Sequence, residues 1–111
     1  MQNVNLWLTF FAFVFTLHRM IKSFRSKPLR AFWEKSDASK IAPRLRDRIE
    51  RRLAALDDAR VPEAMNVPGF DFHSLSGTRK DTCSVHVNGP WCITFRWDGT
   101  DVIDVNLENY H

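Results

Sequence analysis

The hydrophobic pattern of residues 20–111 changes from a helical period in its first half to strand alternation in its second. The segment IKSFR, residues 21–25, predicts a short strand. Pro28 then suits the first turn of a helix that ends near Lys35. Three apolar residues of this helix have the i, i+3, i+4 spacing of one face, and they are Leu29, Phe32 and Trp33. The polar segment SDASK follows as a connector.

A second, longer helix is predicted from Pro43 to Arg60, because Pro62 prevents its continuation. Its apolar stripe recurs at helical spacing and consists of Leu45, Ile49, Leu53 and Leu56. The opposite surface is strongly basic and holds Arg44, Arg48, Arg51 and Arg52. The two helices therefore form a helical hairpin with a basic exterior. Such a surface is either a solvated face with i, i+4 ion pairs or a binding site, and the solvated face is favoured.

The rest of the chain predicts strands joined by short loops. The predicted strands are GFDFHSL from residue 69, TCSVHV from residue 82, WCITFRW from residue 91 and VIDVNL from residue 102. In the first of them, Asp71 and His73 face the side opposite to the phenylalanines. Short connections make the sheet antiparallel. The expected fold class is therefore α+β, with an N-terminal short strand and a helical hairpin packed on a mainly antiparallel sheet of four or more strands.

The central hairpin determines which side chains share a face of the sheet. Opposed residues of an antiparallel pair point to the same side, so a three-residue loop, residues 88–90, keeps the apolar positions together. The pairs predicted by this register are Val87–Trp91, Val85–Ile93 and Cys83–Phe95. Trp91 and Trp97 then face the core. Cys83 and Cys92 point to opposite faces and cannot form a disulfide, so both thiols are expected to be free, as in a reducing cytoplasm.

Composition adds limits to this picture. A chain of 111 residues with 44% hydrophobic residues forms one small domain with a packed core. The formal charge of +3 is divided unevenly, because residues 20–60 carry 12 basic and 6 acidic side chains, whereas residues 61–111 carry 3 and 7. A basic half suits polyanionic nucleic acid, and attraction between the two halves within one domain explains the division equally well.

The first nineteen residues contain a continuous apolar run, residues 6–17, that is too short to span a bilayer. No basic residue precedes the run and no cleavage site of small residues follows it, so it does not have the pattern of a signal peptide. It is an interfacial anchor, a core segment, or sequence upstream of a true start at Met20. The last is favoured, because MIKSF opens a well-patterned domain over residues 20–111.

Three segments carry a more specific pattern: MIKSFRSKPLRAFWEK from residue 20, FHSLSGTRKDTCSVHVNGPWCITFRW from residue 72, and ENYH at the end. Together they resemble the HigB family of the RelE/ParE toxin superfamily over nearly all of residues 20–111. The resemblance implies a RelE-like fold and the toxin of a two-gene toxin–antitoxin system. It also implies a cytoplasmic protein with no membrane attachment. Its expected partners are the ribosome, mRNA and a HigA-type helix-turn-helix antitoxin, through which it reaches operator DNA only indirectly.

The activity implied by the resemblance is cleavage of mRNA in the ribosomal A site, with no metal ion or other cofactor. The ribose 2′-hydroxyl attacks the adjacent phosphate and leaves a 2′,3′-cyclic phosphate and a 5′-hydroxyl. This reaction needs a base for the hydroxyl, positive charge on the phosphate and a proton for the leaving oxygen. By the same resemblance the catalytic residues are His73, Tyr110 and His111, which all match the family pattern.

Three positions at which the family carries a cation are neutral in this chain: Ser76, Asn88 and Cys92. Losing one such donor typically slows a reaction by about a hundredfold to a thousandfold. Three nearby cations are expected to bind RNA and replace part of the charge: Arg79, Lys80 and Arg96. His86 shares the polar face of the hairpin but lies outside the family motif, and is interpreted as structural.

The missing cations leave two functions open. The first is an active ribosome-dependent mRNA endonuclease, favoured by His73 and the intact Tyr-His end. The second is a catalytically weakened relative that acts through antitoxin binding and operon regulation. A third, a small membrane protein anchored by residues 6–17, is disfavoured by the length of that run.

Overall fold

A computed structural model describes residues 21–79 and 81–109 of the chain. Helix α1 spans Lys27–Lys35 and helix α2 spans Pro43–Asp58, and short 3₁₀ helices lie at Pro62–Met65 and Gly77–Arg79. The strands are β1 (His73–Ser74), β2 (Thr82–Asn88), β3 (Trp91–Trp97) and β4 (Val102–Asn109). They form one antiparallel sheet in the order β1-β2-β3-β4. The predicted α+β class is confirmed.

The two helices begin and end close to the predicted residues. Ser26 caps α1, because its hydroxyl accepts a hydrogen bond from the backbone N–H of Leu29 at 3.1 Å. Ser36 ends this helix in the left-handed conformation, at a φ of 55°. Helix α2 starts at Pro43, as predicted, and ends two residues before Arg60. Neither of these helices is long and apolar enough to cross a membrane, and the apolar run of residues 6–17 lies outside the described residues.

The hydrophobic core lies between the helices and one face of the sheet. Helix α1 packs against β4 and helix α2 packs against β2. The predicted apolar stripe of α2 is confirmed, because its four members are all buried. The sheet contributes Val85, Val87, Ile93, Phe95, Val102 and Val105, each with no exposed surface. Burying one such side chain contributes about 1.5–3 kcal/mol. Ser84, Cys92 and Thr94 point to the opposite face of the sheet and are also buried.

The placement of Arg52 on the basic exterior of α2 is wrong. Arg52 is buried, with 3% of its surface exposed, whereas Arg44, Arg48 and Arg51 are exposed as predicted. Its guanidinium group donates hydrogen bonds to carbonyl oxygens outside and inside the helix, including that of His86 at 2.6 Å. A charged group can be buried when its donors are satisfied in this way.

The first predicted strand, residues 69–75, is much shorter in the structure. Gly69 and Asp71 have positive φ angles of 90° and 48°, which interrupt the extended backbone. Only His73 and Ser74 remain as β1, paired with Ser84 and Cys83 of β2. Residues 69–72 therefore lie outside the strand, and the carbonyl of Phe70 accepts a hydrogen bond from the N–H of His86 on β2.

The central hairpin confirms part of the predicted register and corrects the rest. Cys83 lies opposite Phe95 and Val85 lies opposite Ile93, as predicted. The predicted Val87–Trp91 pair is wrong, because Asn88 lies opposite Trp91 and the connection is a two-residue turn, Gly89-Pro90. A two-residue turn alone would put the apolar positions of the two strands on opposite faces. A β-bulge at Val87, which has no partner on β3, adds one residue to β2 and keeps these positions on the same face.

Residues 21–25 run parallel to β4 and cover part of its outer edge. Isolated bridges pair Ile21 with Val102 and Phe24 with Val105. Backbone hydrogen bonds of 2.8 Å from Lys22 and Arg25 to β4 carbonyls support this pairing. The predicted N-terminal strand is therefore an extended segment with two bridges, beside an otherwise antiparallel sheet.

Candidate active site

A cleft of about 230 Å³ opens on the face of the sheet opposite to α1 and α2, where β1, β2 and the β2–β3 turn meet. Its walls are formed by Asp71, His73, Ser84, His86, Trp91 and Cys92, together with the Gly89-Pro90 turn. The strand register explains this grouping. His73 pairs with Ser84 and His86 pairs with Cys92, so these alternate positions point to the same side of the sheet.

His73 stands at the mouth of the cleft with an exposed ring. Its Nε2 lies 3.1 Å from Oδ1 of Asp71, and 62% of the histidine side chain is accessible. Asp71 has a left-handed backbone, with a φ of 48°. A carboxylate only accepts hydrogen bonds, so in the neutral imidazole this contact favours the tautomer with the proton on Nε2 and with Nδ1 as an acceptor. His73 is thus oriented as a proton acceptor.

His86 is a second imidazole in the same cleft. Its Nε2 donates to the carbonyl oxygen of Gly89 at 3.0 Å, which ties the ring to the β2–β3 turn. This hydrogen bond supports the structural role expected for His86. The same ring also lines the cleft. The alternation of β2 could have predicted this, because Ser84 pairs with His73 and residue 86 lies on the same face as residue 84.

Arg79 crosses the same face of the sheet to reach the last strand. Its two terminal nitrogens donate to the two carboxylate oxygens of Glu108 at 3.1 and 2.6 Å. The hydroxyl of Thr94 donates to the same carboxylate at 2.6 Å. The Arg79 guanidinium holds the pKa of Glu108 below its usual range, and the Thr94 hydrogen bond acts in the same direction. Glu108 is therefore an anion that holds the loop before β2 over β3.

Arg96 lies on the same face as the cleft but outside its walls. It pairs with Thr82 and Ile103, and its guanidinium donates to Asp104 at 3.1 Å. Four residues along β3 separate it from Cys92, a distance of about 13 Å at 3.3 Å per residue. The structure therefore brings His73 and His86 together and leaves Arg96 at the far end of the face.

The three neutral replacements of family cations differ in their surroundings. Cys92 is buried in the wall of the cleft, and this burial, with the nearby Glu108 charge, raises the pKa of its thiol. Asn88 closes the hairpin opposite Trp91, and Ser76 is exposed in the loop after β1. Among the residues that the structure describes, no lysine or arginine lines the cleft. Both cysteines are free thiols, and Cys83 packs against the core.

Lys80, Tyr110 and His111 lie outside the described residues. Strand β4 ends at Asn109, directly before Tyr110 and His111 in the sequence. Asn109 pairs with Trp91 and Glu108 pairs with Cys92, and both partners line the cleft. The backbone of β4 therefore reaches the cleft wall immediately before the final two residues of the chain.

Comparison with known families agrees with this arrangement. Residues 22–111 match the family described as the RelE-like toxin of the type II toxin–antitoxin system HigB. The chain belongs to the HigB-like toxin family. As a type II toxin, this HigB-like protein has an antitoxin as its partner.

Two curated relatives support the same assignment. The chain is 37% identical over 92 residues to "Endoribonuclease HigB" of Proteus vulgaris, which covers 83% of this chain and the whole of that protein. It is 30% identical over 80 residues to "Toxin HigB-1" of Vibrio cholerae serotype O1, covering 70% of this chain and 84% of the relative.

Proposed function

We propose that this HigB-like toxin is an endoribonuclease that cleaves mRNA in the ribosomal A site through attack by the ribose 2′-hydroxyl. Its similarity to a relative named as an endoribonuclease supports the reaction class. The observation that carries the proposal is that His73 lines a cleft whose wall residues Trp91 and Cys92 pair with the end of β4. The proposal is that Tyr110 and His111, which follow β4 in the sequence, act with His73 on one phosphodiester.

In the proposed mechanism, Nδ1 of His73 takes the proton of the 2′-hydroxyl while Nε2–H stays bonded to Asp71. The carboxylate stabilises the imidazolium that forms. The 2′-oxygen then bonds to phosphorus and the bond from phosphorus to the 5′-oxygen breaks. Tyr110 and His111 supply the proton that this leaving oxygen takes up. The products are a 2′,3′-cyclic phosphate and a 5′-hydroxyl, and each proton removed is balanced by one delivered.

Arg79, Lys80 and Arg96 provide the positive charge in this proposal. Arg79 lies on the same face as the cleft, and its donors already bind two carboxylate oxygens in a parallel arrangement. A phosphate presents oxygens with matching geometry, so the guanidinium can exchange Glu108 for the RNA backbone. Arg96 is too far along β3 to reach the same phosphate and would contact a neighbouring nucleotide.

The proposed partners follow from the family and from this reaction. The ribosome presents the mRNA, which places the activity in the cytoplasm. The antitoxin is proposed to be a HigA-type helix-turn-helix protein that binds operator DNA, so that this chain reaches DNA only through it.

A second function is favoured by one specific observation. No described lysine or arginine lines the cleft, and Cys92 holds a neutral thiol where the family has a cation. A toxin with this cleft can bind its antitoxin and repress its operon while cleaving RNA slowly.

Induction of the full chain in cells without the antitoxin separates the two functions. Growth arrest with new 5′ ends inside translated messages, absent when translation initiation is blocked, supports the ribosome-dependent nuclease. Normal growth with unbroken messages, together with stable antitoxin binding, supports the weakened toxin. The Ser74→Ala variant serves as a control for expression, since Ser74 is on β1 beside His73 but is not a wall of the cleft.

A further inference from the structure

Arg52 is buried inside the fold and makes an unusual set of contacts. Its Nε donates to the carbonyl oxygen of His86 at 2.6 Å, and a terminal nitrogen donates to that of Gly69 at 3.3 Å. The other terminal nitrogen donates to the carbonyl of Arg48, one turn earlier in α2, at 3.0 Å. The guanidinium carbon lies 4.4 Å from the centre of the Phe70 ring. The contacts join three separate parts of the chain.

Two of these parts carry the imidazoles of the cleft. His86 itself is on β2, immediately before the bulge. Gly69 and Phe70 lead directly into Asp71 and His73. A backbone hydrogen bond of 2.7 Å from the N–H of His86 to the carbonyl of Phe70 joins the same two segments. Arg52 therefore holds the backbone of both segments from behind the cleft.

The backbone in this region needs such support. Gly69 and Asp71 have positive φ angles, and the bulge at Val87 interrupts the regular ladder of β2. Arg48 adds a second contact at the bulge, where its guanidinium donates to the carbonyl of Val87 at 3.4 Å. Helix α2 thus supplies arginine donors to two successive carbonyl groups of an irregular strand.

The guanidinium group is suited to this role because its donors have fixed directions in one plane. Among the residues that the structure describes, no carboxylate forms an ion pair with Arg52, and its partners are carbonyl oxygens and an aromatic ring. A buried charge held in this way is costly to desolvate, so its stabilising effect depends on satisfying several donors at once. A lysine ammonium keeps the charge but cannot reproduce the planar fork.

We propose that Arg52 is a positioning residue for the cleft, which fixes His86 and the segment from Gly69 to His73 in the relative placement that catalysis requires. The catalytic consequence rests on the proposed ribonuclease function. The placement of the two imidazoles does not depend on that function, because it can be measured without RNA.

The test compares Arg52→Lys and Arg52→Met with matched changes at Arg51, its exposed neighbour on the same helix. Arg51 forms an i, i+4 ion pair with Asp47 at 3.1 Å, and 62% of its side chain is exposed. The full chain is used throughout. The NMR signals of the His73 and His86 rings are recorded, and RNA cleavage is measured well below each variant's melting temperature.

Both imidazoles are expected to shift their NMR signals together in Arg52→Lys, while Arg51→Lys leaves both unchanged. The kcat for cleavage is expected to fall about tenfold to a hundredfold in Arg52→Lys, with KM changed less than threefold. Unchanged ring signals of both histidines in Arg52→Lys, or equal changes in Arg51→Lys, would overturn the proposal. A loss of cleavage that only matches the unfolded fraction of the Arg52 variant would also overturn the proposal.

A measurement on the unmodified protein decides the matter if both Arg52 variants fail to fold. The Nε–H proton of Arg52 is expected to exchange slowly with water and to show coupling across the hydrogen bond to the His86 carbonyl. Rapid exchange without that coupling would refute the positioning role. If the unmodified chain cleaves no RNA, the ribonuclease proposal fails, and the ring signals of the two histidines still decide the role of Arg52.

Discussion

Replacing Glu108 with glutamine tests the ion pair that crosses the candidate site. Glu108→Gln keeps the size of the side chain and an oxygen that can accept from Thr94, but it removes the charge that binds Arg79. In the structure this charge accepts hydrogen bonds from Arg79 at 3.1 and 2.6 Å. The variant is expected to be less stable and to release Arg79 for other anions.

The size of the loss follows from the exposure of the two partners. Hydrogen bonds to charged groups contribute about 1.5–3 kcal/mol, whereas fully exposed ion pairs contribute about 0.2–1 kcal/mol. The side chains of Arg79 and Glu108 are 40% and 22% exposed, so solvent screens the pair in part. We therefore expect a coupling free energy of about 1 kcal/mol at pH 7. For a domain of this size, that corresponds to a fall in melting temperature of about 4–8 °C.

The pH dependence has a definite sign. The Arg79 hydrogen bonds lower the pKa of Glu108, so the folded state binds this proton less tightly than the unfolded state. The stabilisation is complete above the ordinary glutamate pKa of about 4.3 and is lost as the pH falls through the lowered folded value. The stability difference between the wild-type protein and Glu108→Gln should therefore shrink as the solution is made more acidic than pH 4.

Urea unfolding of the two single variants, Arg79→Gln and Glu108→Gln, and of the double variant measures the coupling. The matched control is the same cycle for Arg96 and Asp104, whose side chains are 48% and 36% exposed, and its expected coupling is below about 0.5 kcal/mol. A coupling below about 0.3 kcal/mol for Arg79 and Glu108, or a stability difference that grows in acid, would refute this reasoning.

Two further predictions concern the neutral positions of the site. Ser76→Lys restores a cation in the exposed loop after β1 and is expected to raise the RNA cleavage rate at least tenfold, measured against the exposed control Thr78→Lys; equal rates in both variants would contradict this. Because burial raises the pKa of the Cys92 thiol, iodoacetamide at pH 7.5 should modify it more slowly in the native protein than in urea, as followed by mass spectrometry. Equal modification rates in the two conditions would show that the thiol is not protected.

The sequence predicted the helices and most of the sheet because these depend on local periods. The apolar stripe of α2 and the strands β2 to β4 follow from spacing and alternation alone. The bulge at Val87 could not be predicted, because it depends on how two strands meet. The burial of Arg52 had a usable signal: position 52 lies three residues after Ile49 and four before Leu56, so it falls on the apolar stripe.

The candidate site was predictable only in part. The alternation of β2 and β3 placed His86 and Cys92 on one face, and the family resemblance selected His73. The pair formed by Arg79 and Glu108 joins residues 29 positions apart, and no local pattern indicates such a contact. Alternation placed Asp71 and His73 on one side, and the two side chains meet there, but the left-handed backbone at Asp71 is not expected within a strand.

The chemistry of the cut RNA ends tests the ribonuclease proposal most directly. The purified full chain, programmed ribosomes and labelled mRNA are mixed, and the 3′ ends are analysed before and after acid opening of cyclic phosphates. We predict 2′,3′-cyclic phosphate ends with the wild-type protein and with Ser74→Ala, at rates about a hundredfold or more above those of His73→Ala. Ends that carry a free 3′-hydroxyl, or equal cleavage by His73→Ala, would contradict the account.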